Sequence, residues 1–220
     1  MTACSDLCSQ PPGIGACQPS RWTRQFMRPV GWCGRVVGHL MAVKNDAINR
    51  FAVECLHVQP DDRVLEIGFG PGTAVALIAS RIANGQVSGV DRSPTMVQQA
   101  TKRNRRAIEQ GRVDLLEGDV ANLPYADGRF TKALAVNTFH IWENQRAGLV
   151  EIRRVLAVGG RLFLALRHRH PTRRWLVPPG FTPEEVERVG SLLQEVGFVA
   201  IRSHGQRGVQ GATCLEASRS

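Results

Sequence analysis

A glycine-rich turn at residues 68–72, with the sequence GFGPG, is the segment of the chain best suited to hold a ligand. Glycine lets the backbone turn tightly and lets a ligand approach where a Cβ would otherwise stand. A dinucleotide site needs GxGxxG around a pyrophosphate, whereas here the third glycine comes one residue early and Glu66 precedes the turn. The turn therefore favours a ligand with a cationic amine and no phosphate, and disfavours an NAD-dependent oxidoreductase.

Two aspartates follow, each at the end of a predicted strand. Asp91 comes about 20 residues after the glycine turn, at a distance in sequence where a carboxylate can accept hydrogen bonds from ribose hydroxyls. Asp119 can accept a hydrogen bond from an adenine amino group while Val120 packs on the ring. Either aspartate alone is more typical of a turn or a helix cap. Together, after a glycine turn, they favour a ligand that contains a nucleoside.

The segment 137–142, which follows the fourth predicted strand, contains the candidate for acid–base chemistry. Ligands of an open α/β sheet lie beyond the carboxyl ends of its strands, so this segment should face a second reactant. His140 is the best candidate for a general base by its position. Phe139 and Trp142 are candidates for an apolar wall around that reactant. A helix start or core packing would explain these three residues as well.

Apolar runs that alternate with helical periodicity position these residues. The runs predict strands at 64–67, 87–90, 113–117, 133–136 and 161–166. Helices are predicted at 73–83, 93–110 and 147–156, with Gly159-Gly160 after the last of them, and then at 182–196, before a closing pair of strands at 198–202 and 212–217. Strands separated by helices imply a mostly parallel sheet.

The first 58 residues precede this alternation. Residues 1–20 have no apolar period and contain Pro11-Pro12-Gly13, which predicts a disordered tail. Residues 21–58 have helical periodicity and predict a helical lid. Trp22 and Met27 in that lid are candidates to contact a substrate, although packing on the sheet edge would explain them equally. We therefore expect one domain over residues 21–220.

In their order and spacing the motifs resemble the class I S-adenosylmethionine-dependent methyltransferases, especially the small-molecule branch similar to the ubiquinone and menaquinone biosynthesis C-methyltransferases. The resemblance rests on residues 64–72, 91, 119–120, 123–130 and 154–162. It implies an α/β fold with a Rossmann-like, mostly parallel sheet of seven strands, an antiparallel last strand and helices on both faces. It also implies the cofactor S-adenosyl-L-methionine, with S-adenosyl-L-homocysteine as its product. The residues predicted at the cofactor are Glu66, Gly68, Phe69, Gly70, Gly72, Asp91, Arg92, Asp119, Val120 and Asn137.

Two positions depart from the pattern of that family. Thr131 stands where the family usually has Asp, and Val158 where it usually has Pro. Neither position is expected to touch the cofactor.

Composition and charge bear on whether the chain is a membrane, secreted or nucleic-acid-binding protein. The chain has 220 residues, of which 43% are hydrophobic, and no run of about 18 apolar residues that would predict a membrane span. The polar N-terminus lacks a signal peptide, so a cytoplasmic protein is expected. The net charge of +9 comes mostly from dispersed Arg, so a nucleic-acid partner stays open but is not favoured.

The six cysteines lack the spacing of a metal site, and we predict reduced thiols and no metal. The alternative is that thiolates in the N-terminal group hold a metalloid substrate. The cysteines in that group are Cys4, Cys8, Cys17 and Cys33.

The expected function is transfer of a methyl group to a small-molecule acceptor by in-line displacement, with a base needed only if the acceptor loses a proton. The alternatives are RNA or another macromolecule as the acceptor, and a protein that binds the cofactor without turnover. Residues 137–140 lack the Asp/Asn-Pro-Pro-aromatic motif of enzymes that methylate exocyclic base nitrogens. A homodimer also stays open.

Overall fold

The computed structural model describes residues 45–169, 180–206 and 211–220. The predicted tail, most of the predicted lid with Trp22 and Met27, and the N-terminal group of four cysteines lie outside the described residues.

One sheet organises the described part of the chain. Its strands are β1 Arg63–Ile67, β2 Gln86–Asp91, β3 Val113–Glu117, β4 Phe130–Val136, β5 Leu156–Arg167, β6 Phe198–Gln206 and β7 Ala212–Arg219. They lie in the order β3-β2-β1-β4-β5-β7-β6. Strands β1 to β5 pair in parallel, whereas β7 is antiparallel to both β5 and β6. The expected seven-stranded, mostly parallel sheet with an antiparallel last strand is confirmed.

Helices cover both faces of the sheet. They are α1 Asp46–Leu56, α2 Thr73–Ala79, α3 Pro94–Arg103, α4 Arg105–Glu109, α5 Gln145–Val155 and α6 Pro183–Glu195, with a 3₁₀ helix at Phe139–Ile141. Alternate residues of each strand point to opposite faces, so the sheet contributes to two apolar cores. One core packs against α1 to α4 and the other against α5 and α6. Within the described residues no helix is long and apolar enough to cross a membrane.

Several element bounds differ from the sequence prediction. The helix predicted over 93–110 is two helices, because the buried side chain of Asn104 donates hydrogen bonds to the carbonyls of Ala100 and Gly72 at their junction. The helix predicted over 73–83 ends at Ala79. Strand β5 begins at Leu156, so Gly159-Gly160 lies inside it, where the register with β4 shifts.

The amino edge of the sheet contains a buried ion pair. The Lys132 ammonium lies 2.6 Å from the Asp62 carboxylate, and the two side chains are 4% and 8% exposed. The Thr131 hydroxyl donates to the same carboxylate at 2.8 Å. Thr131 therefore lies at the edge opposite the glycine turn, and Val158 is an exposed residue of β5. Neither departure from the family pattern alters the carboxyl edge.

The two cysteines among the described residues are free thiols. Cys55 in α1 and Cys214 in β7 are both buried in the core under α1.

Candidate active site

The glycine turn meets the segment after β4 at the carboxyl edge of the sheet. Gly68 has φ +67°, and a Cβ placed on it would lie 2.7 Å from Cγ2 of Thr138. The Thr138 hydroxyl in turn donates to the carbonyl of Ile67 at 3.2 Å. Only a glycine with a left-handed backbone fits this contact. The sequence thereby holds two loops, far apart along the chain, against each other.

Gly70 faces open space. Its φ is +52°, and no described atom lies within 4 Å of where its Cβ would be. The neighbouring Phe69 is buried and packs against Gly89 of β2, while Gly72 caps α2 beside Ala100 of α3. The turn is therefore anchored on both sides of Gly70, and the space beside Gly70 is open to a ligand.

Glu66 supplies a buried carboxyl group with an unused hydrogen-bonding atom. The residue is 2% exposed, and its Oε2 has no hydrogen-bond partner among the described residues. Burial, together with the nearby charge of Asp91, raises the pKa of Glu66 to about 8. A buried carboxyl without a partner is costly for the fold. A cationic amine would supply the missing partner, so this position fits the cofactor that the sequence predicts.

Asp91 ties the glycine turn to the start of α3. One of its carboxylate oxygens accepts from the backbone N–H of Gly70 at 2.8 Å, and the other from that of Ser93 at 2.9 Å. Burial raises the pKa of Asp91 in spite of these two donors. A carboxylate oxygen has a further lone pair, so Asp91 keeps the capacity to accept from ribose hydroxyls.

Arg92 joins the loop after β3 to the segment after β4. Its Nε lies 3.4 Å from Oδ2 of Asp119, and its Nη2 donates to Oε1 of Glu143 at 2.5 Å. The other oxygen of Asp119 accepts from the backbone N–H of Ala121. No sequence motif marks Glu143, because its contact with Arg92 joins residues that are 51 positions apart. Arg92, as predicted for a site residue, lies at the same edge as Asp91.

Four of the predicted site residues have side chains or backbones that are committed to the fold. Val120 is 5% exposed, and its Cγ1 would lie 3.0 Å from a Cβ on Gly148. Phe139 is 1% exposed and Trp142 8%, with ring centroids 4.9 Å apart. Asn137 has φ +53°, a left-handed conformation that asparagine tolerates better than most residues. The predicted contacts of these residues with adenine, cofactor or acceptor stay predictions.

His140 lies in the 3₁₀ helix of the same segment. Its Nδ1 is buried without a described partner, and its ring centroid is 6.0 Å from that of Phe181. Burial, together with the charge of Arg167, lowers the pKa of His140 to about 4. The imidazole is therefore neutral at pH 7 and can accept a hydrogen bond. Phe181 and Arg167 had no motif to mark them in the sequence, since they come to the edge only through the course of β5 and the chain that follows it.

Comparison with known proteins gives consistent results. Residues 64–160 match the family described as a methyltransferase domain. The chain is 28% identical over 134 residues to "Uncharacterized methyltransferase YdaC" of Bacillus subtilis, which covers 61% of this chain and 72% of that protein. It is 24% identical over 177 residues to "2-methyl-6-phytyl-1,4-hydroquinone methyltransferase 1, chloroplastic" of Oryza sativa, covering 72% of this chain and 51% of that protein. The fold is similar to the crystal structure of a SAM-dependent methyltransferase from Aquifex aeolicus, with TM-score 0.65 and 21% identity over 78% of this chain and 89% of the other.

Proposed function

We propose that the chain is a class I S-adenosylmethionine-dependent methyltransferase and that its acceptor is a small molecule bound beside His140. The proposal rests on Nδ1 of His140, which is buried near Phe181 and has no hydrogen-bond partner among the described residues. A small molecule that enters this edge of the sheet can supply the missing hydrogen-bond partner. A group fixed on the surface of a folded macromolecule reaches such an enclosed atom less readily. The acceptor named for the rice relative, a hydroquinone, belongs to the same class.

The glycine turn and two aspartates are the proposed cofactor site. Glu66 would pair with the amine of S-adenosyl-L-methionine, because its buried Oε2 lacks a partner. Asp91 would accept from the ribose hydroxyls with its remaining lone pairs. Asp119, which is partly exposed beside Arg92, would accept from the adenine amino group.

The cofactor supplies an activated methyl group on a positively charged sulfur. The contribution of the protein is to align the acceptor atom with that methyl group and to keep water away from it. Base strength falls with pKa, so a neutral His140 with a pKa of about 4 is a weak base. It is better suited to orient an acidic hydroxyl, by accepting its hydrogen bond, than to remove a proton from carbon.

The test is the formation of S-adenosyl-L-homocysteine from S-adenosyl-L-methionine in the presence of phenols, hydroquinones, fatty acids or bulk tRNA. We expect turnover with a member of the small-molecule set. In that reaction His140→Ala should lower kcat at least tenfold, about 1.4 kcal/mol. Its Kd for S-adenosyl-L-methionine, measured by calorimetry, should stay within twofold of the parent value.

His57→Asn is the matched control, because His57 is exposed at the end of α1 and asparagine tolerates its left-handed backbone. It should leave kcat unchanged. Methylation of tRNA with no turnover of the small molecules would refute the proposed acceptor class and leave the cofactor assignment standing.

A further inference from the structure

Arg167 is a half-buried cation at the carboxyl edge of β5. Its Nη2 donates to Oδ1 of Asn45 at 2.6 Å, the amide that precedes α1. A guanidinium group has five N–H donors, and Asn45 is a neutral acceptor that leaves its charge uncompensated. Burial lowers the pKa of Arg167, and no carboxylate offsets that effect.

The arginines of the described residues fall into two groups, those with a carboxylate partner and those without one, and Arg167 belongs to the second group. Arg92, Arg146, Arg154, Arg161 and Arg169 each have a carboxylate within 4 Å. No described carboxylate lies within that distance of Arg167. Elsewhere in the sequence, the residues outside the described ranges include a single acidic side chain, Asp6. The chain therefore offers little to neutralise a desolvated charge, which would be stabilised by an anion from outside.

Arg167 belongs to the same edge as the proposed acceptor position. The last residue of β4, Val136, pairs with Ala165, and the N–H of Asn137 donates to the carbonyl of Ala165. Arg167 lies two residues further along β5 and points to the same face as Ala165. After burial, the charge of Arg167 is the second cause that lowers the pKa of His140.

We infer that Arg167 binds an anionic group of the acceptor, a carboxylate or a phosphate monoester, while His140 faces another polar atom of the same molecule. The inference rests on the proposed function and narrows its substrate class to small anionic molecules. A planar guanidinium with free N–H groups matches the two oxygens of a carboxylate or phosphate better than it matches a neutral amide.

The experiment uses the full chain saturated with S-adenosyl-L-homocysteine, titrated in a calorimeter with benzoate, phenyl phosphate or benzamide. We expect at least one of the two anions to bind ten times more tightly than benzamide. Benzoate and phenyl phosphate distinguish the two sources of the anionic group. Arg167→Gln, which can still hydrogen-bond to Asn45, should abolish the preference, and Arg167→Lys should retain part of it.

Arg146→Gln is the matched control, because it removes the same charge from an exposed pair with Glu195. It should leave the preference unchanged. The affinity of every variant for S-adenosyl-L-homocysteine should stay within twofold of the parent value, which a general structural defect would not allow.

Binding of both anions no tighter than benzamide, or equal binding by the parent protein and Arg167→Gln, would overturn the inference. So would Arg167-dependent binding of bulk tRNA without binding of either anion. Turnover of neutral phenols with no preference for anions would remove this inference alone. The proposed function fails on a different result, namely methylation of tRNA without methylation of any small molecule.

Discussion

At the scale of single residues, burial has opposite consequences for two acidic side chains. Asp62 is buried but accepts from Lys132, from Thr131 and from the backbone N–H of Gln59. Although burial alone would raise it, these donors hold the pKa of Asp62 below its ordinary value. Glu66 is buried more deeply, its Oε2 has no described partner, and its pKa rises to about 8. The difference supports the proposal that Glu66 pairs with the amine of the cofactor.

The raised pKa of Glu66 makes the unliganded protein less stable in alkali. The unfolded chain loses this proton near the ordinary value, 4.5, and the folded chain only near 8, so the folded state holds more protons in between. Stability from this group is therefore lost as the pH rises from about 5 to 8. Glu66→Gln should remove that loss, with a gain over the parent protein of about 3 to 4 kcal/mol between pH 5 and pH 9.

Urea unfolding of both proteins at pH 5, 7 and 9 measures this gain. Glu109→Gln, an exposed residue of α4 that pairs with Arg105, is the control and should show no such trend. Parallel pH dependence of Glu66→Gln and the parent protein would contradict the raised pKa.

At the scale of elements, an alanine substitution in the turn between β1 and α2 should affect both the stability of the fold and the binding of the cofactor. A second glycine with a left-handed backbone, outside that turn, allows the two effects to be told apart. Gly70 and Gly111 have φ +52° and +72°, and a Cβ on either would meet no described atom within 4 Å. Alanine at each position should therefore destabilise the fold by a similar amount, about 1 to 2 kcal/mol, from the left-handed backbone alone. Only Gly70→Ala should also weaken binding of S-adenosyl-L-methionine, because its methyl group would project into the proposed cofactor site.

Thermal unfolding and calorimetric titration of the two variants check this expectation. We expect at least a tenfold higher Kd for Gly70→Ala and an unchanged Kd for Gly111→Ala. Equal affinity in both variants would place the cofactor away from the glycine turn.

The elements that carry the turn were predictable because each depends on local pattern. Residues 64–67 form a buried strand, and Thr182 begins α6 with the predicted cap, in which its side chain accepts from the N–H of Glu185. The break at Asn104 was not predictable, since it depends on a carbonyl of Gly72 that is 32 residues away. The contact between Arg92 and Glu143 and the isolation of Arg167 likewise depend on the order of strands in the sheet. Sequence patterns predicted the motif residues of the site, and the residues contributed by tertiary contacts came only from the structure.

At the scale of the whole molecule, the two edges of the sheet have different electrostatic organisation. The amino edge holds the buried pair of Lys132 and Asp62, and the Lys132 ammonium also donates to the carbonyl of His57. The carboxyl edge holds atoms of Glu66 and His140 that have no hydrogen-bond partner among the described residues. If the amino edge supports the fold and the carboxyl edge binds the cofactor, as we propose, substitutions at the two edges should affect different measurements.

Lys132→Met tests whether a substitution at the amino edge changes the stability of the fold without changing cofactor binding. It keeps the apolar stem within the sheet but leaves the Asp62 carboxylate buried without its cationic partner, which should lower the free energy of unfolding by about 3 to 5 kcal/mol. The low pKa of Asp62 means that its contribution in the parent protein persists at neutral pH and is lost as the pH falls through that pKa. The difference between Lys132→Met and the parent protein should therefore shrink in acid.

Urea unfolding at pH 7 and at about pH 3 measures the difference, and calorimetry at a temperature where the variant is folded measures its Kd for S-adenosyl-L-methionine. Lys102→Met, at an exposed position of α3, is the control for loss of one charge and should change neither quantity appreciably. Adding Asp62→Asn to Lys132→Met should recover part of the stability, because the buried charge is then gone. A Kd that rises in proportion to the loss of stability would mean that the two edges are coupled through β1 and β4, whereas an unchanged Kd would show that the amino edge supports the fold without shaping the cofactor site.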